Sequence, residues 1–572
     1  MKKADFSGLG QRLGISPVMA RVLVNRGFAT AEEQEYYLYG TLDSIPDSKL
    51  MLGMEPAVRI LQEKLKEKRH IRIMSDYDVD GVTSAYILYK GLLRLDGEVS
   101  IDIPDRIRDG YGMNVRMVDL AHEEGVDTIV TSDNGIACNE AVDRAKELGM
   151  TVIVTDHHQV QDKLPAADVV IDPWQEACQY PFNNICGAEV VYKLIRELSL
   201  AEGKPLGSTD FLEFVALGTV CDIMPLIQEN RILVREGLRV MLQTENVGLR
   251  ALLEVTGIMA KGVVTAGNLG YVIGPCINAE GRLSSAKEAM KLLLCTDPEE
   301  AKRMAEEVKE LNESRKQSTQ DGADRALEII EDQGMAERDH ILLVEVPELH
   351  ESLAGIVASR IKEAYYRPTI VFAKSSEDET LLKGSARSIE PYNMFKALQS
   401  AEQHIVHFGG HPMAAGLTIR REELEPLRSR MNEQETLTED ELVEKVYIDV
   451  PMPLSYVTLE LAKQLEQLEP FGNKNPKPHF GESGLQLEEI KTLGDGALAV
   501  LSFRDKRGQL VKAKLFRPES FMESIKMWSD VNNCVKINKY PKLDIIYSVG
   551  VNRFRGEESA ECIVEDFRKT EA

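Results

Sequence analysis

Three short, nearly uninterrupted apolar runs in the first third of the chain each end in a cluster of acids: "HIRIMSD", "VDTIVTSD" and "MTVIVTDHH". Each is too short for a helix and rich in β-branched residues, and each is followed or preceded by an amphipathic stretch such as "GVTSAYILYKGLLRL" or "CNEAVDRAKELG". Apolar strands alternating with helices predict a parallel sheet covered on both faces, a doubly wound α/β domain to which "VSIDIPD" adds a further strand. In such a sheet ligands gather beyond the carboxyl ends of the strands. The fold therefore predicts that Asp76, Asp78 and Asp80 of "SDYDVDGVTS", Asp133 of "TSDNG", and Asp156, His157 and His158 of "TDHH" converge.

So many carboxylates in one place demand compensation. A calcium loop is excluded for the first cluster: counting from Asp76, the position that needs a bidentate acid is Ile87, and the segment before the motif reads as a strand. An isolated D-H-H is a weak signal, and an aspartate after a strand is more often a helix cap or turn residue. Three acid-tipped strand ends together reverse those odds, because the charges are untenable unless cations offset them. Aspartates with a minority of imidazoles and no thiolates favour Mn²⁺ or Mg²⁺ over zinc. About four carboxylates nearly cancel two divalent ions, an arrangement suited to activating water and stabilising an in-line phosphoryl displacement.

At 572 residues the chain is long enough for three or four domains. The expected division is an N-terminal helical segment (1–50), the first α/β domain (51–200), a helical region with a long connecting helix (201–335), a second α/β domain (336–432) and a C-terminal β-barrel (440–572). The long helix is announced by "TDPEEAKRMAEEVKELNESRK": Thr296 or Asp297 can cap it, Pro298 and acids suit its first turn, and Met304, Val308 and Leu311 share a stripe. Strands "HILLVEV" and "PTIVFA" open the second domain, and about five short alternating segments near the C-terminus suggest an OB-like barrel.

In the second domain, Ser385, Arg387 and Ser388 of "GSARS" offer hydroxyl and guanidinium donors around a small-residue turn, suited to phosphate oxygens. Gly409 and Gly410 of "FGGHPMAAG" allow close backbone approach and His411 can reach a phosphate; a tight turn with a satisfied histidine is the competing reading. Arg106 in "PDRIRDGYG" and Arg282 in "INAEGR" are further candidates for gripping phosphate, with a solvated loop the alternative for Arg106. Barrel aromatics Phe503, Phe516, Tyr547 and Phe554 could stack bases or simply form core. A net charge of −25 lowers the expectation of a polyanionic partner, yet it is a whole-surface sum and leaves room for a local basic groove. Eight scattered cysteines without a C-x-x-C pair, no apolar stretch of membrane-spanning length and no signal-peptide core make the cytoplasm the expected compartment, with no membrane association.

These motifs resemble the DHH phosphoesterase family, whose successive motifs are D-x-D-x-D-G, D-N-G and D-H-H; "GTVCDIMPL" resembles a fourth, which contributes Asp222. The resemblance implies a metal shell of Asp78, Asp80, Asp133, His157 and Asp222, with Asp76 a ligand or a neighbour of one, Asp156 orienting a histidine and His158 facing the scissile phosphate. "HESLAGIVASR", "KGSARSIEPYNMF" and "FGGHPMAAGLTI" are similar to the DHHA1 accessory domain. The domain order, and the start "LGISPVMARVLVNRGF", resemble the RecJ-type branch. That implies Mn²⁺- or Mg²⁺-dependent hydrolysis of single-stranded DNA from the 5′ end to 5′-mononucleotides, in recombination and repair. A helicase and a single-strand-binding protein are implied partners, and a monomer is expected. One departure stands out: "GPCINAEGR" carries Cys276 where that branch commonly has an arginine, leaving Arg282 or a neighbour to compensate. Two competitors share the metal shell or its scaffold: a phosphodiesterase for short oligonucleotides or dinucleotides, and a non-catalytic DNA-holding protein. The barrel and long helix suit a polymer better than the first, and the retained acids and histidines weigh against the second.

Overall fold

The computed structural model describes residues 4–105, 109–110, 112–161, 163–283, 286–376, 378–494, 496–531 and 537–571. They form two compact units, one of residues 1–274 with 447–572 and one of residues 275–446.

In the first unit, β1 (His70–Ser75), β2 (Glu98–Asp102), β3 (Thr128–Ser132), β4 (Thr151–Thr155) and β5 (Val169–Ile171) make an all-parallel sheet in the order β2-β1-β3-β4-β5. Ile73 of β1 lies opposite Ile101 of β2 on one side and Val130 of β3 on the other. β3 is buried along its whole length, and β1 and β4 are buried beyond their first residue, as a sheet with helices on both faces requires. The strand order reverses between β1 and β3, so the crevice of a doubly wound sheet opens above their carboxyl ends. The acid clusters follow β1, β3 and β4 at that rim.

The second unit holds β6 (Leu342–Glu345), β7 (Thr369–Lys374), β8 (Leu381–Arg387), β9 (His407–His411) and β10 (Ala414–Arg420), ordered β6-β7-β8-β10-β9; β6 and β7 run parallel and the remaining pairs antiparallel. One apolar core gathers Ala326, Ile330, Val344 and Val357, and another gathers Leu343, Phe372, Leu398 and Leu427. "GSARS", expected as a turn, is the end of β8: Leu381 to Arg387 alternate between half-buried and buried, which a strand between two neighbours imposes. "FGGHPMAAG" is a hairpin, β9 and β10 turning at Pro412 and Met413. The same unit contains the 35-residue helix Pro298–Asp332, capped by the Asp297 carboxylate on the Glu300 amide at 2.8 Å. Val308 is buried on it, with Met304 and Leu311 half-buried beside that stripe.

Back in the first unit, β11 (Val450–Pro451) runs alongside the start of β12 (Phe480–Leu493), which continues to β13 (Leu498–Arg504) and β14 (Leu510–Phe516). A short ribbon of β15 (Asp530–Val531) and β16 (Ile537–Lys539) precedes β17 (Lys542–Phe554) and β18 (Glu557–Lys569). β14 pairs with β18 in parallel, and β17 closes on β12. A closed five-stranded barrel with a helix, Glu519–Trp528, between its third and fourth strands is the OB arrangement. Phe503 and Tyr547 are wholly buried, the Tyr547 hydroxyl donating to the Met452 carbonyl at 2.8 Å, so both belong to the core; Phe516 and Phe554 are exposed.

The helices Phe6–Leu13, Pro17–Asn25 and Ala31–Tyr39 share one core with the barrel, in which Met19, Leu23 and Tyr37 pack with Leu465, Phe480 and Ile545. Helices this short bury too little surface to stand alone. Arg231 fastens the junction. Fully buried, it lies 4.2 Å over the Tyr37 ring and donates to the carbonyls of Gln467 (2.6 Å) and Glu469 (2.9 Å), just past the helix Leu459–Glu466, where backbone acceptors lack partners. Arg231→Met leaves both carbonyls buried and unpaired and is expected to destabilise the first unit by about 2–4 kcal/mol, read as a lower thermal midpoint; an unchanged midpoint rules the clamp out.

Candidate active site

The turn after β1 is built around Gly81. A Cβ there would lie 2.4 Å from the Asp76 carbonyl, so only glycine lets the helix Val79–Arg94 start this close to the strand. Asp78 caps that helix, its carboxylate accepting from the Gly81 amide at 3.0 Å. Asp80, in the first turn, is buried against the start of the helix Gly187–Ala201 and accepts from the amides of Gly187 (2.6 Å) and Ala188 (2.9 Å). A helix N-terminus is a natural seat for a carboxylate. Gly187 and Gly218 make room: side chains there would meet Asp80 oxygens at 3.0 and 2.4 Å.

After β3, Asp133 takes a left-handed backbone (φ 60°), and Asn134 ties the strand ends together through its side chain, donating to the carbonyls of Met74 (3.0 Å) and Ser132 (2.9 Å). After β4, one Asp156 oxygen accepts from the amides of His157 (2.7 Å) and His158 (3.2 Å) and bonds the His158 Nδ1 at 2.8 Å; the other accepts from the Ile136 amide at 2.9 Å. His157 turns inward, with Nε2 2.9 Å from Asp133, 3.6 Å from Asp222 and 3.7 Å from Asp80. Asp222 reaches the cluster from the end of the helix Leu212–Cys221.

The structure thus brings together Asp76, Asp78, Asp80, Asp133, Asp156, His157, His158 and Asp222. Possible ligand atoms lie within 4.8 Å of one another in three overlapping sets: Asp76, Asp78 and Asp133; Asp80, His157 and Asp222; and Asp133, Asp156, His157 and His158. Buried oxygens of Asp76 and Asp222 have no hydrogen-bond partner. Orphaned carboxylate oxygens facing other carboxylates fit divalent cations with oxygen ligands.

The titration of these groups has the same origin. Burial, then the charge of Asp78, pushes Asp76 up to about 7. Burial and then the neighbouring aspartates hold Asp133 and Asp222 well above the carboxylate range, and burial raises Asp80. Burial lowers His157, favouring the neutral imidazole, the form able to ligate a metal. His158 goes the other way: burial alone would lower it, but the Asp156 hydrogen bond and charge prevail and lift it to about 9. Asp172, which follows β5, is a further acid-tipped strand end that the sequence reading passed over although "VVIDPW" shows the same signal. Burial pushes it to about 8, and one of its oxygens has no hydrogen-bond partner.

In the second unit, Ser385 and Arg387 project from one face of β8. Arg387 lies in register with Ala414, which pairs with His411, while Ser385 pairs with Gly416, which pairs with Gly409. Side chains at Gly409 or Gly416 would meet nothing within 4 Å, so a backbone-lined trough runs beside Ser385. Gly410 instead serves the hairpin: its φ is 146° and a Cβ would clash with the Ala414 carbonyl at 2.4 Å. Ser388 is taken up by local structure, its hydroxyl donating to the Tyr392 carbonyl at 2.7 Å, and is not displayed to a ligand. Arg106 and the side chain of Arg282 lie outside the described residues. Beside Cys276, Asn312 donates to the thiol sulfur at 3.4 Å and accepts from Arg315 at 2.9 Å, so Arg315 and Lys316 of the long helix are cations near it among the described residues.

Family models match along the chain: the DHH family N-terminal domain at residues 70–219, the DHHA1 domain at 339–435 and the RecJ OB domain at 448–566. The single-stranded-DNA-specific exonuclease RecJ of Escherichia coli is 33% identical over 574 residues, covering 96% of each chain. Its Bacillus subtilis counterpart is 35% identical over 507 residues, 88% of this chain and 63% of its own length, so the chain spans less than two-thirds of that relative. Among solved structures, RecJ of Thermus thermophilus in complex with Mn²⁺ superposes with a TM-score of 0.78 at 28% identity, covering 99% of this chain and 78% of that one. With its three domains in that order and this identity across nearly its whole length, the chain belongs to the RecJ family of DHH proteins.

Proposed function

We propose that the protein is a Mn²⁺- or Mg²⁺-dependent 5′→3′ exonuclease that hydrolyses the phosphodiester bonds of single-stranded DNA to 5′-mononucleotides, in recombination and repair. The observation that carries this is the convergence of acids and imidazoles from four separate segments on overlapping ligand sets, in a chain whose relatives are named single-stranded-DNA-specific exonucleases.

Asp76, Asp78 and Asp133 would hold one ion, and Asp80, His157 and Asp222 the other. Such a pair offsets the crowded charge and supplies the Lewis acidity that makes water a nucleophile at neutral pH. The chain's own groups do the rest. The Gly187 and Ala188 amides fix the Asp80 carboxylate in one orientation. Asp156 holds His158 protonated past neutrality at the half-exposed edge of the cluster, where a cationic imidazole can bind the scissile phosphate and give a proton to the departing oxygen. Keeping His157 neutral leaves its lone pair available.

Arg387 is a half-buried guanidinium with no carboxylate partner among the described residues; it donates to the Ala386 carbonyl and lies close to Gly355 in the first turn of the helix Ala354–Tyr365. An unpaired arginine beside a helix N-terminus, with the Ser385 hydroxyl and the glycine trough, suits the terminal phosphate of a strand. We also propose phosphate contacts for His411, Arg106 and Arg282. Such a site reconciles a net charge of −25 with a polyanionic substrate, because the basic groups are local. We place the enzyme in the cytoplasm, as a monomer, with a helicase and a single-strand-binding protein exposing its substrate.

Asp133→Ala, which removes a candidate ligand common to two of the three sets, is expected to lower mononucleotide release from end-labelled single-stranded DNA by on the order of 10³-fold; retained release sinks the two-ion reading. Arg387→Ala should raise KM for a 5′-phosphorylated strand by about tenfold or more and change that for a 5′-hydroxyl strand little, with equal effects arguing against a terminal-phosphate role. The raised groups also set a pH dependence. Asp76 near 7 and His158 near 9 both stand above their ordinary values, so the metal-free fold binds more protons than the unfolded chain. The thermal midpoint of chelator-stripped protein should therefore fall as pH rises from about 5 to about 9, and Mn²⁺ should raise it more at about pH 8 than at about pH 5.5. A Mn²⁺ effect independent of pH contradicts this.

A further inference from the structure

The residue after Asp222 has an unexpected conformation and an unexpected exposure. Ile223 adopts a left-handed backbone (φ 56°), a region that β-branched residues rarely enter, and its side chain is 70% exposed. Glycine or asparagine would hold such a turn with less strain, and no burial offsets the apolar group's exposure. The turn is held from outside. Asn473 donates through its side chain to the Ile223 carbonyl at 2.7 Å and accepts at its own carbonyl from the Leu226 amide at 2.8 Å, bracketing Ile223 to Leu226 at both ends.

Asn473 belongs to "LEPFGNKNPKPHF", a segment with no role in the site as described so far. That segment is itself braced. Gly472 and Asn475 exchange backbone hydrogen bonds at 2.9 and 3.0 Å, and the buried Asn475 side chain accepts from the Tyr37 hydroxyl (2.7 Å) and Arg26 (3.0 Å) while donating to the carbonyls of Leu468 (2.9 Å) and Pro470 (2.8 Å). A rigid bracket thus maintains a strained turn that displays one apolar side chain next to a metal-ligand candidate. An exposed branched alkyl group has nothing to offer a phosphate, whereas the flat face of a nucleobase is a natural partner. We propose that Ile223 is the platform on which a nucleobase next to the scissile phosphate packs, and that Asn473 is the positioning residue that holds it there. This rests on the single-strand nuclease reading above.

The test uses the full-length enzyme with Mn²⁺ and two single-stranded oligonucleotides, one with natural bases and one abasic over its first nucleotides. Wild type is expected to show a KM ~tenfold lower for the natural strand. Ile223→Gly, which fits the left-handed backbone and removes the platform, should bring the two KM values together without lowering the thermal midpoint, and Asn473→Ala should narrow the same gap. A gap that persists in Ile223→Gly, or wild type that shows no gap, overturns the inference while leaving the nuclease reading intact. Wild type that releases no nucleotides from either strand overturns the nuclease reading instead.

Discussion

Mutual repulsion among buried carboxylates at the rim of the parallel sheet is the constraint on which the rest of the first unit depends. Asp76, Asp80 and Asp133 are packed where water is largely excluded, with Asp222 half-buried beside them, and burial with like charge drives their affinity for protons upward. Such an arrangement persists only where the surrounding fold enforces it. The helix that begins at Gly187 aims two amides at Asp80, Asn134 ties the ends of β1 and β3 together, and Asp156 gathers three amides and an imidazole around one carboxylate. Each device fixes the orientation of a carboxylate or a strand end within the fold itself, a preorganised electrostatic arrangement.

Asp156 shows how one group can help hold two adjacent histidines in different protonation states. Its bond to the His158 Nδ1 keeps that ring cationic, while His157, turned into the acidic cluster and buried, stays neutral. Environment, not residue type, assigns the roles. The bracket at Asn473 extends the same logic beyond the sheet: a segment leading into the barrel, braced by Tyr37 and Arg26 of the N-terminal helices, determines how the chain leaves Asp222. The barrel and the N-terminal helices share one core, so this support is continuous with that core.

Much of this was legible beforehand, because the signals are local. A short β-branched run followed by an acid reads as a strand end in a single window, and the same pattern three times over identifies the cluster. The Asp297 cap with Pro298 marks the start of the long helix for a similar reason. Other features had no local signature. "GSARS" looks like a turn because its residues are small, yet pairing with β7 and β10 makes it a strand and takes up the Ser388 hydroxyl elsewhere. The glycines at 187 and 218 are ordinary helix residues until Asp80 is seen against them.

The sequence by itself determined which residue types would meet and what chemistry they could support, since strand periodicity and acid spacing are properties of the chain alone. Only the tertiary structure decided which amides grip Asp80, which histidine is neutral, that Asp172 stands at the same rim and that Ile223 is held strained and exposed. Those outcomes depend on burial and on contacts between residues far apart in sequence, and they exist only once the chain is packed.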